Sequence, residues 1–332
     1  PRTTRQALKN RRERKKGVLR TRAPASAVTL LYGYAAVNAP LPWDPTVRTG
    51  VLDNGMTYYI KHHDNPAKRA DFFIVHNVGA LQEDDNQNGL AHFLEHMAFN
   101  GTKHFPDKDM LNYLAAIGVR FGYNVNASTS RERTVYNISN VPLQRGTIVD
   151  SVLLMLHDWS SYISCDPKYI DKEGGVSQKE WRQGYDTKTR MATRTIEIEY
   201  AGTQFAKRDI IGDMDIIANF DRQTLVDFYH KWYRPYLQAV IVVGDVDVEF
   251  MEYRIKDVFS QIPAAVDPTP KDEIVIPDNK EPIVAVITDP ETTSYGLQLL
   301  FKSHYPDEHE RTTEFFISDN LRTKCLKKLL MQ

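Results

Sequence analysis

The sequence predicts an α+β fold, an antiparallel or mixed sheet with helices packed on it, followed by the start of a second, similar α+β domain. Two observations carry this expectation. Strand-like runs come in hairpin-joined pairs ahead of long amphipathic helices, whereas a doubly wound parallel sheet would alternate single strands with single helices. A stretch with five prolines and many charges, residues 262–282, reads as a linker after a 41–261 unit. The residues behind it, 283–332, are too few to close a domain of the first one's size, so that domain is expected to be truncated.

The elements follow in order from Leu41. Two apolar-alternating runs flank Asn54-Gly55, a strong two-residue hairpin signal, and a third strand is expected over Ala70 to Asn77. After the polar stretch LQEDDNQNG the period changes: Leu90, Phe93, Leu94 and Met97 recur as on one face of a helix running to Phe99. A second helix is expected from Asp107 to Ile117, stopped by Gly118. Val119 to Ser128 and Glu132 to Ser139 read as an antiparallel pair, and Leu143 to Ile163 as a long amphipathic helix. Asp166-Pro167 supplies a cap and a first-turn proline for a helix through Glu180. Next come a helix over Arg222 to Tyr233 and a buried strand in LQAVIVVGDV, then a helix to Gln261 capped by Asp245 or Asp247. Beyond the linker, IVAVITD and SYGLQLLFKS read as strands and residues 307–330 as a helix.

Charge is unevenly distributed. Residues 1–22 carry ten Lys/Arg and one Glu, so a net charge of −1 is the sum of a +9 arm and a −10 remainder. The weakly apolar run Ala27 to Ala39 behind that arm has the order of a secretory signal, which sets residues 1–40 aside as a targeting segment and implies export to a bacterial periplasm, with the cytoplasm as the alternative. No aromatic residue interleaves the basic charges, so nucleic acid is not an expected partner. No run reaches the ~18 apolar residues of a membrane span. Two widely separated cysteines, Cys165 and Cys325, exclude a disulfide framework and a Cys-rich zinc module.

The chemistry concentrates in His92-Phe93-Leu94-Glu95-His96. Residues four apart on a helix lie one above the other, so both imidazoles can reach one metal ion while Glu95 stands beside them. Two neutral imidazoles suit Zn²⁺, and a nearby non-ligating carboxylate can take a proton from water. Chance accounts for on the order of 0.02 such HxxEH motifs in a chain with this histidine content. A third ligand is required, and Glu173 and Glu180, seven residues apart and so on one helix face, are both candidates.

Four segments in this order resemble the pitrilysin-type zinc metallopeptidases, a family that includes insulysin and the mitochondrial processing peptidase: GLAHFLEHMAFNGT (89–102), FGYNVNASTSRERTVY (121–136), IDKEGGVSQKEW (170–181) and VVGDVD (242–247). The likeness covers Leu41 to the chain end and is greatest to bacterial members. It implies a processing-peptidase-like domain and a zinc-dependent endopeptidase acting on peptides or unfolded polypeptide. By it His92, His96 and Glu180 bind one Zn²⁺, Glu95 is the general base, Glu173 is a catalytic-site residue that orients the ligands, and Asn126 and Ala127 lie on an edge strand that takes the substrate backbone. It further implies a C-terminal half or partner subunit that closes the chamber, without which the fragment could be inactive. Two features depart from the family: 83 residues separate His96 from Glu180, against a usual gap near the 76 that separate it from Glu173, and Gly174 stands where Arg is common. The alternative function is a non-catalytic, peptide-binding or scaffolding member of the same family.

Overall fold

A computed structural model describes residues 40–300, 302 and 311–313. The chain divides into two units. Of the first, Pro1–Trp43 with Leu300–Gln332, the described residues form a bridge between Pro40 and Thr313. The targeting-type segment and the 307–330 helix lie outside the described residues, apart from 311–313.

The second unit, Asp44–Leu299, holds a six-stranded mixed sheet in the order β1-β2-β6-β3-β5-β4. The strands are β1 (Val47–Val51), β2 (Thr57–His62), β3 (Arg69–His76), β4 (Val125–Thr129), β5 (Thr134–Pro142) and β6 (Gln238–Gly244). The expected hairpins β1-β2 and β4-β5 form in antiparallel register, and β2 with β6 is the parallel pair. Alternation in β2, β3 and β6 sends Tyr58, Ile60, Phe72, Ile74, Val240 and Val242 to one buried face. The helices are α1 (Leu90–Met97), α2 (Asp109–Ala116), α3 (Gly146–Ser161), α4 (Pro167–Gly184), α5 (Thr187–Glu199), α6 (Gln204–Lys207), α7 (Met214–Asn219), α8 (Arg222–Trp232) and α9 (Val248–Phe259). Of these, α3 packs on β3 and β5, α9 on β2 and α3, and α1 on β4 and α4.

Caps behave as their side-chain chemistry requires. Asp166 accepts from Lys168 N at the start of α4, and Asp247, not Asp245, accepts from Phe250 N at the start of α9. The core centres on Trp159, whose ring stacks on Tyr136 at 5.3 Å and meets Phe99 edge-on at 5.4 Å.

Three expectations change. Residues 119–124 turn instead of extending, because Asn124 N and Val125 N bond back to Arg120 O, which confines β4 to Val125–Thr129. The region 187–219, where the sequence pattern marks no element, contains α5, α6 and α7. No residue of α5 is buried; Arg190 on it makes a paired guanidinium contact with Asp289 at 2.8 Å, and Arg194 donates to Thr288 O. The strands expected at 283–289 and 294–303 are absent among the described residues, since 283–300 make no ladder with any strand. Val284, Val286, Tyr295, Leu297 and Leu299 are exposed, and alternation without a pairing edge does not make a strand.

His76 closes β3 inside this core, fully buried, its ring 4.1 Å from that of Tyr233 and its Nδ1 3.1 Å from the Gln238 amide nitrogen. Burial pushes its imidazole down to about 3, so the folded protein keeps it neutral where the unfolded chain protonates. Its contribution to stability is therefore complete above the ordinary histidine value near 6.5 and is lost as pH falls from there toward 3. Urea unfolding at a series of pH values should show a decline that His76→Gln makes shallower by up to about 1.4 kcal/mol per pH unit. Identical slopes in the two proteins would refute the assignment.

Candidate metal centre

The centre is built on α1. Leu90, Phe93, Leu94 and Met97 are 1% exposed or less and fix the helix to the core, which turns His92 and His96 to the opposite side, rings 4.6 Å apart and edge to face. Across from them runs α4. Glu180 Oε1 is 3.9 Å from His92 Nε2 and its Oε2 is 3.6 Å from His96 Nε2. Donor atoms of these three residues lie within 4.8 Å of one another. Tetrahedral Zn²⁺ with bonds of ~2.0–2.1 Å needs ligand atoms about 3.3 Å apart, near the 3.6 and 3.9 Å that separate Glu180 from the two rings. Glu173, two turns earlier on α4, takes the other nitrogen of His96, with Oε2 3.4 Å from Nδ1. Both of the sequence's candidate acids thus face α1, and it is Glu180 that stands opposite the two Nε2 atoms. Gly174 and Gly175 do not interrupt α4.

Environment separates the acids. Glu180 is half exposed, whereas Glu95 and Glu173 are buried. Burial pushes the Glu95 carboxyl up, against a 2.6 Å hydrogen bond from Thr129 Oγ1 and the charge of His96. Burial acts the same way on Glu173, but hydrogen bonds from His96 and Asn100 outweigh it and leave its carboxyl below the ordinary range. His92 is pushed down to about 4 by burial and by His96, so it is a neutral donor. For His96 burial is outweighed by the bond to Glu173 and the charges of Glu95 and Glu180, which raise it. Three carboxylates around two imidazoles form a nitrogen and oxygen donor set with an excess of negative charge, which fits a divalent cation of the zinc type.

A second His/Asp group, His104, His157 and Asp158, is closed by hydrogen bonds instead. Asp158 accepts from Thr102 Oγ1 at 2.7 Å and from His104 N at 2.8 Å, and its Oδ1 is 2.8 Å from His104 Nδ1. Those lengths tie the 102–104 loop to α3.

Contacts from outside α1 hold it in place, and the motif itself marks none of them. Glu83 accepts from Gly89 N at 3.0 Å and Ala91 N at 2.8 Å, satisfying amides at the helix start that have no partner within it. Burial pushes its carboxyl up to about 8, against the pull of those amides and of Arg208. Gly89, at φ +102°, lies so close to Gly212 that a Cβ on it would sit 2.7 Å from Gly212 Cα. At the other end Trp159 Nε1 donates to Ala98 O and Asn100 Nδ2 to His96 O. Glu83 belongs to a run that reads simply as polar; its signal is an acid a few residues ahead of an expected helix start. Thr129 and Asn100 have no local signal, since both partners come from other segments or from the helix's last turn.

Asn126 and Ala127 are on β4, the last strand of the sheet, paired with Asn137 and Tyr136. Ser139 N donates to Asn124 O, so by alternation the backbone groups of Asn126 face β5 and those of Ala127 face the open edge. Val125, Ala127 and Thr129 share a side-chain face, and Thr129 on it touches Glu95.

Comparison with known proteins shows which family the chain resembles. The family described as insulinase (peptidase family M16) matches residues 58–208, and the peptidase M16 inactive domain matches 219–316. A protein named probable zinc protease PqqL from Haemophilus influenzae is 39% identical over 68% of this chain, and its Escherichia coli counterpart is 38% identical over 71%. The chain spans about a quarter of the length of these relatives, 24% and 25%. The solved first half of the periplasmic protease PqqL from Escherichia coli superposes with a TM-score of 0.68 at 37% identity, covering 73% of this chain and 51% of that one. Pitrilysin, at 22% identity and a TM-score of 0.57 over 72% of this chain and 25% of its own, shares the fold.

Removing the acid that holds the start of α1, as in Glu83→Ala, leaves two buried amides unpaired and should cost about 2–4 kcal/mol of unfolding free energy in urea titration. A loss below about 0.5 kcal/mol would mean that those amides find another acceptor.

Proposed function

Because the chain belongs to the insulinase peptidase family, M16, we propose that it is the zinc-binding part of an endopeptidase that hydrolyses peptides or unfolded polypeptide segments. The observation that carries this reading is Glu180 facing both Nε2 atoms of the HxxEH helix with Glu95 beside them. His92, His96 and Glu180 would hold the ion. Zinc so bound supplies a Lewis acid, which makes water a stronger acid and polarises a scissile carbonyl.

The remaining steps belong to the chain. Glu95 removes a proton from the attacking water and delivers it to the leaving amine; its upward-shifted carboxyl suits both directions of transfer. Thr129 keeps Glu95 in one orientation. Glu173 accepts Nδ1–H of His96, which leaves the Nε2 lone pair free for the ion. The outward backbone groups of Ala127 take the substrate as an added strand, a mode of binding in which main-chain bonds supply affinity without demanding a sequence. A peptide paired there runs beside Thr129 and hence beside Glu95.

A further polypeptide segment or subunit closes the chamber, as the fraction of the relatives' length spanned here supports. A periplasmic location is supported by the likeness to a periplasmic protease of Escherichia coli and by the export-like N-terminal pattern. Among the described residues no helix is long and apolar enough to cross a membrane. The complete HxxEH motif favours catalysis over a scaffolding role.

Glu95→Gln should retain one zinc per chain by elemental analysis while the full-length protein loses hydrolysis of an unstructured peptide by at least about a hundredfold. Retained turnover removes Glu95 from the mechanism. Glu180→Gln should lose the metal and Glu173→Gln only weaken it by about 10–100-fold; the opposite order would exchange their roles.

A further inference from the structure

Behind the last turn of α1, two side chains to which the hydrolytic reading gives no part, Asn100 and Lys108, extend the Glu173–His96 pair into a polar chain. Asn100 Nδ2 donates to Glu173 Oε1 at 2.9 Å and to the backbone oxygen of His96 at 3.0 Å. Lys108 Nζ donates to Asn100 Oδ1 at 2.6 Å and to Phe99 O at 3.2 Å. Glu173 Oε2 meets His96 Nδ1. The order is therefore ammonium, amide, carboxylate, imidazole, with Nε2 of that imidazole directed at Glu180.

Resting on the zinc reading above, we propose that Asn100 is a positioning residue that sets zinc affinity through Glu173, and that Lys108 fixes which way the Asn100 amide points. A carboxamide has one accepting and one donating end, and its two orientations are of similar shape. Reversing Asn100 would set its oxygen against the Glu173 carboxylate and its NH₂ against the Lys108 ammonium, acceptor on acceptor and donor on donor. Lys108 thus selects the orientation that donates to Glu173. Asn100 is 2% exposed and Glu173 8%, so neither has solvent as a substitute partner. With Oε1 pinned by Asn100, Oε2 has one position left, against His96 Nδ1, and this fixes both the tautomer and the ring orientation of the ligand. The second hydrogen of the same amide holds the carbonyl of His96, so one side chain restrains that residue at its backbone and, through Glu173, at its ring.

The test is zinc affinity by competition with a chromophoric chelator, in a double-mutant cycle on the full-length chain, with melting of the zinc-free proteins as a folding control. Asn100→Ala should weaken zinc binding by at least about tenfold, and in a Glu173→Ala background by less than about threefold, because only its bond to the His96 carbonyl is then left to lose. Lys108→Met, at a half-buried position, should weaken zinc binding less than Asn100→Ala without lowering the melting temperature of the zinc-free protein. The Co²⁺-substituted Asn100→Ala protein should show a shifted visible spectrum. Equal losses in both backgrounds, or unchanged affinity in both Asn100→Ala and Lys108→Met, would overturn the inference while leaving the metallopeptidase reading intact. Failure of the unmutated protein to bind Zn²⁺ would overturn both.

Discussion

Everything at the centre depends on keeping an eight-residue helix, Leu90–Met97, rigid in a mostly dry place. A helix of that length is far from stable alone, and as many of its backbone groups lack internal partners as have them. Five buried apolar side chains supply the packing, and Glu83, Trp159 and Asn100 satisfy the ends. Each partner is itself held. Arg208 donates to the backbone oxygen of Glu83, and Trp159 is enclosed by Phe99 and Tyr136. The close approach of Gly89 and Gly212 belongs to the same requirement, since any side chain there would push the 209–213 loop off the helix start.

One residue type meets three different surroundings here. Glu173 lies within reach of an amide, an imidazole and a lysine and stays ionised; Glu95 is raised by burial; Glu180 is half open to solvent at the mouth of the site. A carboxylate that stays charged can orient a ligand, one with a raised pKa can carry protons, and one on the open side can meet an entering cation. The sheet contributes the other half of the arrangement by ending on β4. Its free edge and the Thr129 side chain that bonds Glu95 lie on the same five residues.

Elements with a strong period or a hairpin signal were legible: α1 from Leu90, Phe93, Leu94 and Met97, β1-β2 from Asn54-Gly55, and α4 from Asp166-Pro167. The helix α5 was not, because an element with no buried residue has no apolar stripe to read. Alternation misled at 283–300, where IVAVITD has the pattern of a strand but no neighbour among the described residues to pair with. At the centre, His92, Glu95 and His96 were legible because their spacing is a property of one helix. Thr129 and Lys108 were not, since each is defined by a partner in another segment, and Glu83 showed only as an acid ahead of an expected helix start.

The sequence alone determined which residues can form the cation site, because a 3.6-residue turn stacks positions four apart whatever surrounds them. It also narrowed the third donor to two acids, Glu173 and Glu180, which a two-turn spacing keeps on one face. Only the tertiary structure divided their places, setting Glu180 opposite both Nε2 atoms and Glu173 behind His96. The physical reason is that identical side chains on one face differ only in how α4 crosses α1, and that crossing is fixed by packing between helices 70 or more residues apart in the chain, not by either helix's own pattern.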